Sequence, residues 1–385
     1  MTLKSSLLHP FNQGWVLYLP ATDRLMVLNQ TGKSVWEMFS EGFGADDIAE
    51  AFAERFGIPG EQAVSDIGHL VEVFEEASQE RHGRGGSEPA ATVSAVVSDS
   101  PANHDEPKDC GTFRFGERRI TVLSSCPQLD RTFFLRFRHR AIGAEIDTEV
   151  LRVSASASGD LITLCGRPLE NVLDTHPTLA RVVQVLLRLE HPQRSLLAYC
   201  HAAAVDRGGR SLLMPGSGGM GKSTLTGFLV ANGFSYLGDD IVAIAEDDGS
   251  LLPLPSCLSV KSGSWPLLEE FFPALSQLPT LHRFGRDIRY VEPQGNYQCL
   301  PAAAAPSAIL FPRYTTGAPT CLDQLSPLQT MIRLIGADAA MIVPATEARL
   351  AKLLSLVEQT PAFELTYSDL PGAMQAIEKV LSDQP

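Results

Sequence analysis

Nine residues, Gly216-Ser217-Gly218-Gly219-Met220-Gly221-Lys222-Ser223-Thr224, constrain this chain more than any other stretch of it. They fit the spacing G-x-x-x-x-G-K-[ST], in which a strand ends, a loop closes around an anion and a helix begins. Glycines let backbone N–H groups turn inward, because they lack Cβ and accept positive φ. Lys222 supplies a compact positive charge for β- and γ-phosphates, and the Ser223 hydroxyl is the expected Mg²⁺ ligand. The flanks agree with this reading. Residues 211–215 are a short apolar run and residues 223–230 read as a helix, so the helix N-terminus faces the anion. The residues from Gly216 to Thr224 are therefore the expected nucleotide site, for ATP or GTP with Mg²⁺, since no base-reading motif stands out.

With 385 residues the chain is long enough for two or three domains. Its 44% apolar and 20% charged residues are ordinary for a globular protein. No apolar run approaches the roughly 18 residues of a membrane span, and no signal-peptide pattern opens the sequence. A net charge of −14 opposes a broad nucleic-acid or anionic-membrane surface. The seven cysteines are scattered and form no C-x-x-C, so buried thiols in a reducing, cytoplasmic setting are expected.

Three regions separate by composition: residues 1–82, a linker at 83–110, and a larger unit at 111–385. In the first, residues 15–20 and 24–29 read as strands, and residues 30–39, 45–56 and 61–76 as helices. The linker is rich in Gly, Ser, Pro and acidic residues, and as a flexible tether it would raise the effective concentration of a held substrate. In the larger unit, residues 113–122, 132–137, 145–153 and 161–164 read as strands. Residues 179–189 and 371–381 read as amphipathic helices.

Asp239 and Asp240 end an apolar run shortly after the Gly-rich loop. Two carboxylates there suit phosphoryl transfer, one holding Mg²⁺ and the other taking a proton from an attacking hydroxyl. Each also raises the other's pKa. His201, among small residues before the loop, reads on spacing alone as a core group. Lys261 and Arg313 could each neutralise phosphate charge or simply be solvated. Arg283, Arg286 and Arg289, spaced by three, read as an exposed loop face.

The order His201, Gly216 to Thr224, Gly238-Asp239-Asp240, Lys261 and Phe311-Pro312-Arg313-Tyr314 resembles the HPr kinase-like family, over residues 111–385. The resemblance implies an α/β P-loop core related to phosphoenolpyruvate carboxykinase, and phosphorylation of a serine hydroxyl. It implies Asp239 as general base, Asp240 with Ser223 at the metal, and His201 and Lys222 near the reacting phosphate. It also implies Lys261 and Arg313 on the nucleotide. The Glu-x-Arg-Gly signature of true HPr kinase/phosphorylases does not occur, so neither phosphorylase activity nor HPr as substrate is implied.

The segment Leu28-Asn29-Gln30-Thr31-Gly32, with Val35-Trp36, Gly42, Ile48 and Phe56, resembles the PqqD-like family, the RiPP recognition element. That implies a small winged-helix-like α+β domain. A precursor-peptide leader would add as a strand at Arg24–Leu28 and pack on the helix from Glu61 to Glu76. Together the resemblances imply a peptide-tailoring kinase acting on a Ser or Thr of a ribosomally made precursor, with no nucleic-acid or membrane partner and a possible homo-oligomer. A small-metabolite kinase and an ATP-switched binding protein are the competing readings.

Overall fold

A computed structural model describes residues 6–79, 107–143, 147–154, 161–169, 178–283, 285–292, 304–337, 339–341 and 345–383. Most of the expected linker lies outside these residues, but a strand already begins at Lys108, inside its expected range.

The N-terminal region is a three-stranded antiparallel sheet followed by three helices. The strands β1 (Leu7–Phe11), β2 (Gly14–Leu19) and β3 (Arg24–Leu28) pair in the order β1-β2-β3. The helices are α1 (Gln30–Glu41), α2 (Ala45–Phe56) and α3 (Gly60–Ser78). The Asn29 side chain caps α1 by accepting from the Gly32 amide at 2.8 Å, and Gly42 ends it in the left-handed conformation. Ala63, Ile67, Val71 and Phe74 recur every three or four residues along α3 and are buried. Phe74 meets Trp36 edge-on at 5.1 Å.

Because successive strand residues point to opposite faces, the sheet has two apolar sides. Leu17, Leu19 and Leu28 pack on the three helices. Phe11, Val16, Tyr18 and Leu25 pack instead into a core of the larger unit, with Leu197, Met331, Leu334 and Leu350. Val16 and Tyr18 are fully buried there. The N-terminal region is thus docked through a shared core, which differs from the flexible tether expected from composition.

The larger unit starts with a sheet containing β4 (Lys108–Phe115), β5 (Arg118–Ser124), β6 (Glu149–Ser154) and β7 (Leu161–Leu164), in that order. The single strand expected at 113–122 is in fact a hairpin, turned at Gly116 with φ +57°. The strand expected at 132–137 is part of a helix, α4 (Pro127–Phe137). β-Propensity misleads at Thr132-Phe133-Phe134, whereas Leu129, Phe133 and Phe137 stand four apart and are buried on one helix face. Pro127 opens that helix, where its missing N–H costs nothing. Helix α5 (Thr178–Glu190) completes this core.

Three further sheets carry the candidate site. Their elements, in chain order, are β8 (Leu196–Cys200), β9 (Ala202–Arg207), β10 (Arg210–Pro215), α6 (Lys222–Ala231), β11 (Ser235–Gly238) and β12 (Val242–Ala245). There follow β13 (Leu258–Lys261), β14 (Arg286–Val291), β15 (Ala308–Tyr314), β16 (Cys321–Leu325), α7 (Pro327–Gly336), α8 (Glu347–Gln359), β17 (Ala362–Tyr367) and α9 (Leu370–Ser382). A six-stranded mixed sheet runs β11-β9-β10-β15-β17-β16, and β8 and β12 pair at the centre of a four-stranded sheet. The chain passes directly between the six- and four-stranded sheets at His201, and again from β11 to β12 at Asp239 and Asp240. The architecture is mixed α/β. Among the described residues, no helix is long and apolar enough to cross a membrane.

Of the seven cysteines, Cys110, Cys126, Cys200 and Cys257 are buried, as expected, but Cys165 and Cys321 are exposed. Cys299 lies outside the described residues.

Candidate functional site

The Gly-rich loop begins where β10 ends at Pro215 and closes where α6 begins at Lys222. Its ends are held by the backbone: the Gly216 amide donates to the His201 carbonyl at 3.1 Å, and the Tyr314 amide to the Met220 carbonyl at 3.2 Å. Gly219 and Gly221 have φ of +103° and +90°. At Gly221 space is also limiting, since a Cβ there would lie 2.5 Å from Tyr367 Oη and 3.1 Å from Tyr314 Cβ. Gly221→Ala should therefore distort the loop and press on Tyr367, a buried core residue, weakening anion binding by at least about tenfold and lowering Tm as well. Calorimetric titration beside a melting curve checks this.

Lys222 is only 5% exposed. Its ammonium donates to the Gly216 carbonyl at 3.4 Å. Burial lowers its pKa, against the attraction of Asp239 and Asp240. Asp239 is 4% exposed, and neither of its carboxylate oxygens has a hydrogen-bond partner among the described residues. Burial raises its pKa, Lys222 opposes that, and the Asp240 charge adds to it. The Ser223 hydroxyl and the Asp240 backbone also act on this carboxyl, without reaching hydrogen-bond geometry. A buried carboxylate without donors is costly unless something binds it, so its two oxygens fit a ligand or metal.

Asp240 is different. Its backbone is left-handed, with φ +77°. The Arg136 guanidinium grips one carboxylate oxygen, and His201 Nε2 lies 3.5 Å from the other. Burial pushes its pKa up, but Arg136, His201 and Lys222 outweigh that and hold it well below the usual carboxylate range. The two adjacent acids are thereby pushed apart in proton affinity, an arrangement that separates a base from a permanent anion. Among the described residues, no three His, Cys, Asp or Glu side chains form a metal cluster, so a cation here would also need hydroxyl or phosphate oxygens.

Four of the expected residues, His201, Lys222, Asp239 and Asp240, thus meet at one point. Ser223 and Thr224 open α6, and the Thr224 hydroxyl is 2.5 Å from that of Ser264. Lys261 overhangs the loop: a Cβ at Gly218 would be 3.4 Å from its Nζ. Arg313 does not join them. Ile309 and Phe311 face the core on the other side of β15, and Arg313, in the same alternation, lies 3.8 Å from Glu364. It is Tyr314 that faces the loop.

Two arginines escaped the sequence reading. Arg136 was hidden by the strand expected at 132–137. It stacks 5.6 Å from the Tyr290 ring while reaching Asp240. Arg286, read as part of a loop face, has its guanidinium 3.5 Å from where a Cβ on Gly219 would stand. Arg289 stacks on Trp265 at 3.8 Å, and the side chain of Arg283 lies outside the description. The periodicity of α4 was the available signal for Arg136. Nothing local could have found Arg286.

A second candidate site lies on the N-terminal sheet, where β3 is an edge strand among the described residues. The turn before it is tied to the end of α3, with the Thr22 hydroxyl donating to the Ala77 carbonyl at 2.7 Å and Arg24 to the Glu76 carbonyl at 3.1 Å. Residues 14–78 match the family described as coenzyme PQQ synthesis protein D (PqqD). This PqqD-type segment runs from the start of β2 to the end of α3 and includes the open edge. Searching the curated proteins finds no match to the chain.

Proposed function

We propose that the chain is an ATP-dependent kinase that phosphorylates a Ser or Thr hydroxyl of a ribosomally made precursor peptide, with the leader held by the PqqD-type segment. The observation that carries the kinase reading is the buried, donorless Asp239 carboxylate beside Lys222 at the mouth of a glycine loop. Loop amides and Lys222 suit the phosphates of ATP. The acceptor oxygen attacks the γ-phosphorus, its proton passes to Asp239, and ADP leaves. Asp239 suits that role because burial and the neighbouring charge raise its proton affinity. Ser223 and Asp240 are the residues that would hold Mg²⁺, which when bound neutralises charge on the phosphate oxygens. Arg136 keeps Asp240 ionised, and His201 stands on its other side.

The peptide reading is supported by the PqqD match and by the open β3 edge beside α3, where an extended leader can gain main-chain hydrogen bonds. Its test is incubation of the full chain with MgATP and candidate precursor peptides, read by mass spectrometry. A leader-bearing peptide should gain one phosphoryl group, and the same peptide without its leader should gain far less. Phosphorylation of small hydroxylated metabolites alone, or ATP hydrolysis with no acceptor modified, would overturn it.

A further inference from the structure

Cations approach the glycine loop from two sides. Lys222 lies beneath it, against the Gly216 carbonyl. Lys261 and Arg286 lie across its crest, against Gly218 and Gly219. Both come from one small antiparallel sheet. Lys261 ends β13 opposite Ile288 of β14, and Arg286 begins β14 two residues before Ile288. Residues two apart share a face, so Lys261 and Arg286 leave the same end of this sheet on the same side.

Two like charges on the same side of one sheet end repel. Partial burial lowers the Lys261 pKa, and Arg286 lowers it further. Asp239 and Asp240 act on Lys261 only through space. Such a pair is stabilised when an anion sits between it and the loop, and the densest charge on a nucleotide is its terminal phosphate. A guanidinium adds to this a planar fork that engages two phosphate oxygens at once, which an ammonium cannot.

We infer that Arg286 is a phosphate-binding residue that, with Lys261, closes over the loop crest and holds the terminal phosphate of the nucleotide. This rests on the reading of the loop as an ATP site. It also assigns a task to the sheet of β13 and β14: to carry two cations to the loop from a separate part of the chain.

The test is calorimetric titration of the full chain with MgATP and with MgADP, for wild type, Arg286→Ala and Arg286→Lys. Arg286 is exposed, so its removal leaves no cavity, and melting curves verify the fold. Arg286→Ala should weaken ATP by about 10- to 100-fold and ADP by less than about threefold, with Arg286→Lys between. Equal weakening of both nucleotides, or no weakening of either, would overturn the inference while leaving the nucleotide site standing. A wild-type chain that binds neither nucleotide would overturn both.

Discussion

Asp239→Asn should lower phosphoryl transfer by about 10²- to 10⁴-fold and leave nucleotide affinity within a few-fold of wild type. The amide keeps the shape of the side chain but cannot accept the proton of the attacking hydroxyl. Binding should survive because Asp239 is an anion close to an anionic ligand, and neutralising it removes repulsion. Lys222→Ala could not make the same distinction, since it weakens phosphate binding under every reading of the loop. The wild-type rate should also rise with pH along a limb displaced above the usual carboxylate range, because Asp239 must be ionised to act and its pKa is raised by burial and by Asp240. That limb should vanish in Asp239→Asn. Transfer within about threefold of wild type in the variant would remove Asp239 from the base role and leave the site a nucleotide switch.

The parts of this site that were legible in the sequence are those encoded by contiguous residues. The loop from Gly216 to Lys222 declares itself because each position has a local steric or charge requirement. Asp239 and Asp240 are legible because a strand must end where two charged residues follow an apolar run. His201 gained meaning only through its order relative to the loop. Its structural position, at a crossing between two sheets with its carbonyl on Gly216, depends on strand pairing that no local pattern states. Arg136 and Arg286 were illegible for the same reason. Arg136 is brought to Asp240 across 104 positions of sequence, and Arg286 arrives on a strand whose register alone decides which way it points. Arg313 shows the converse: its sequence neighbourhood suggested phosphate, and strand alternation sends it to Glu364.

A chain that begins at residue 107 should fail to give a stable, freely soluble protein, although composition alone marks 83–110 as a flexible tether. The reason is the second face of the N-terminal sheet. Phe11, Val16, Tyr18 and Leu25 fill a core that also contains Met331, Leu334 and Leu350. Burying one such side chain is worth about 1.5–3 kcal/mol, so four of them approach the net stability of a typical domain, roughly 5–15 kcal/mol. Cutting them away would bare a contiguous apolar patch of the kind that drives association. The truncated chain should therefore aggregate or bind a hydrophobic dye, and co-expression with residues 1–82 should restore solubility through a complex that co-purifies. The same contact bears on function. A leader added to β3 would stand at a fixed place relative to the catalytic unit, because α7 packs against β3 and the amide of His201 donates to Ala337, just after that helix. Leader dependence would then come from a fixed geometry more than from a tether's effective concentration. If residues 107–385 alone prove monomeric, melt cooperatively near the full-length Tm and phosphorylate a leaderless peptide at the full-length rate, the shared core contributes to neither stability nor catalysis.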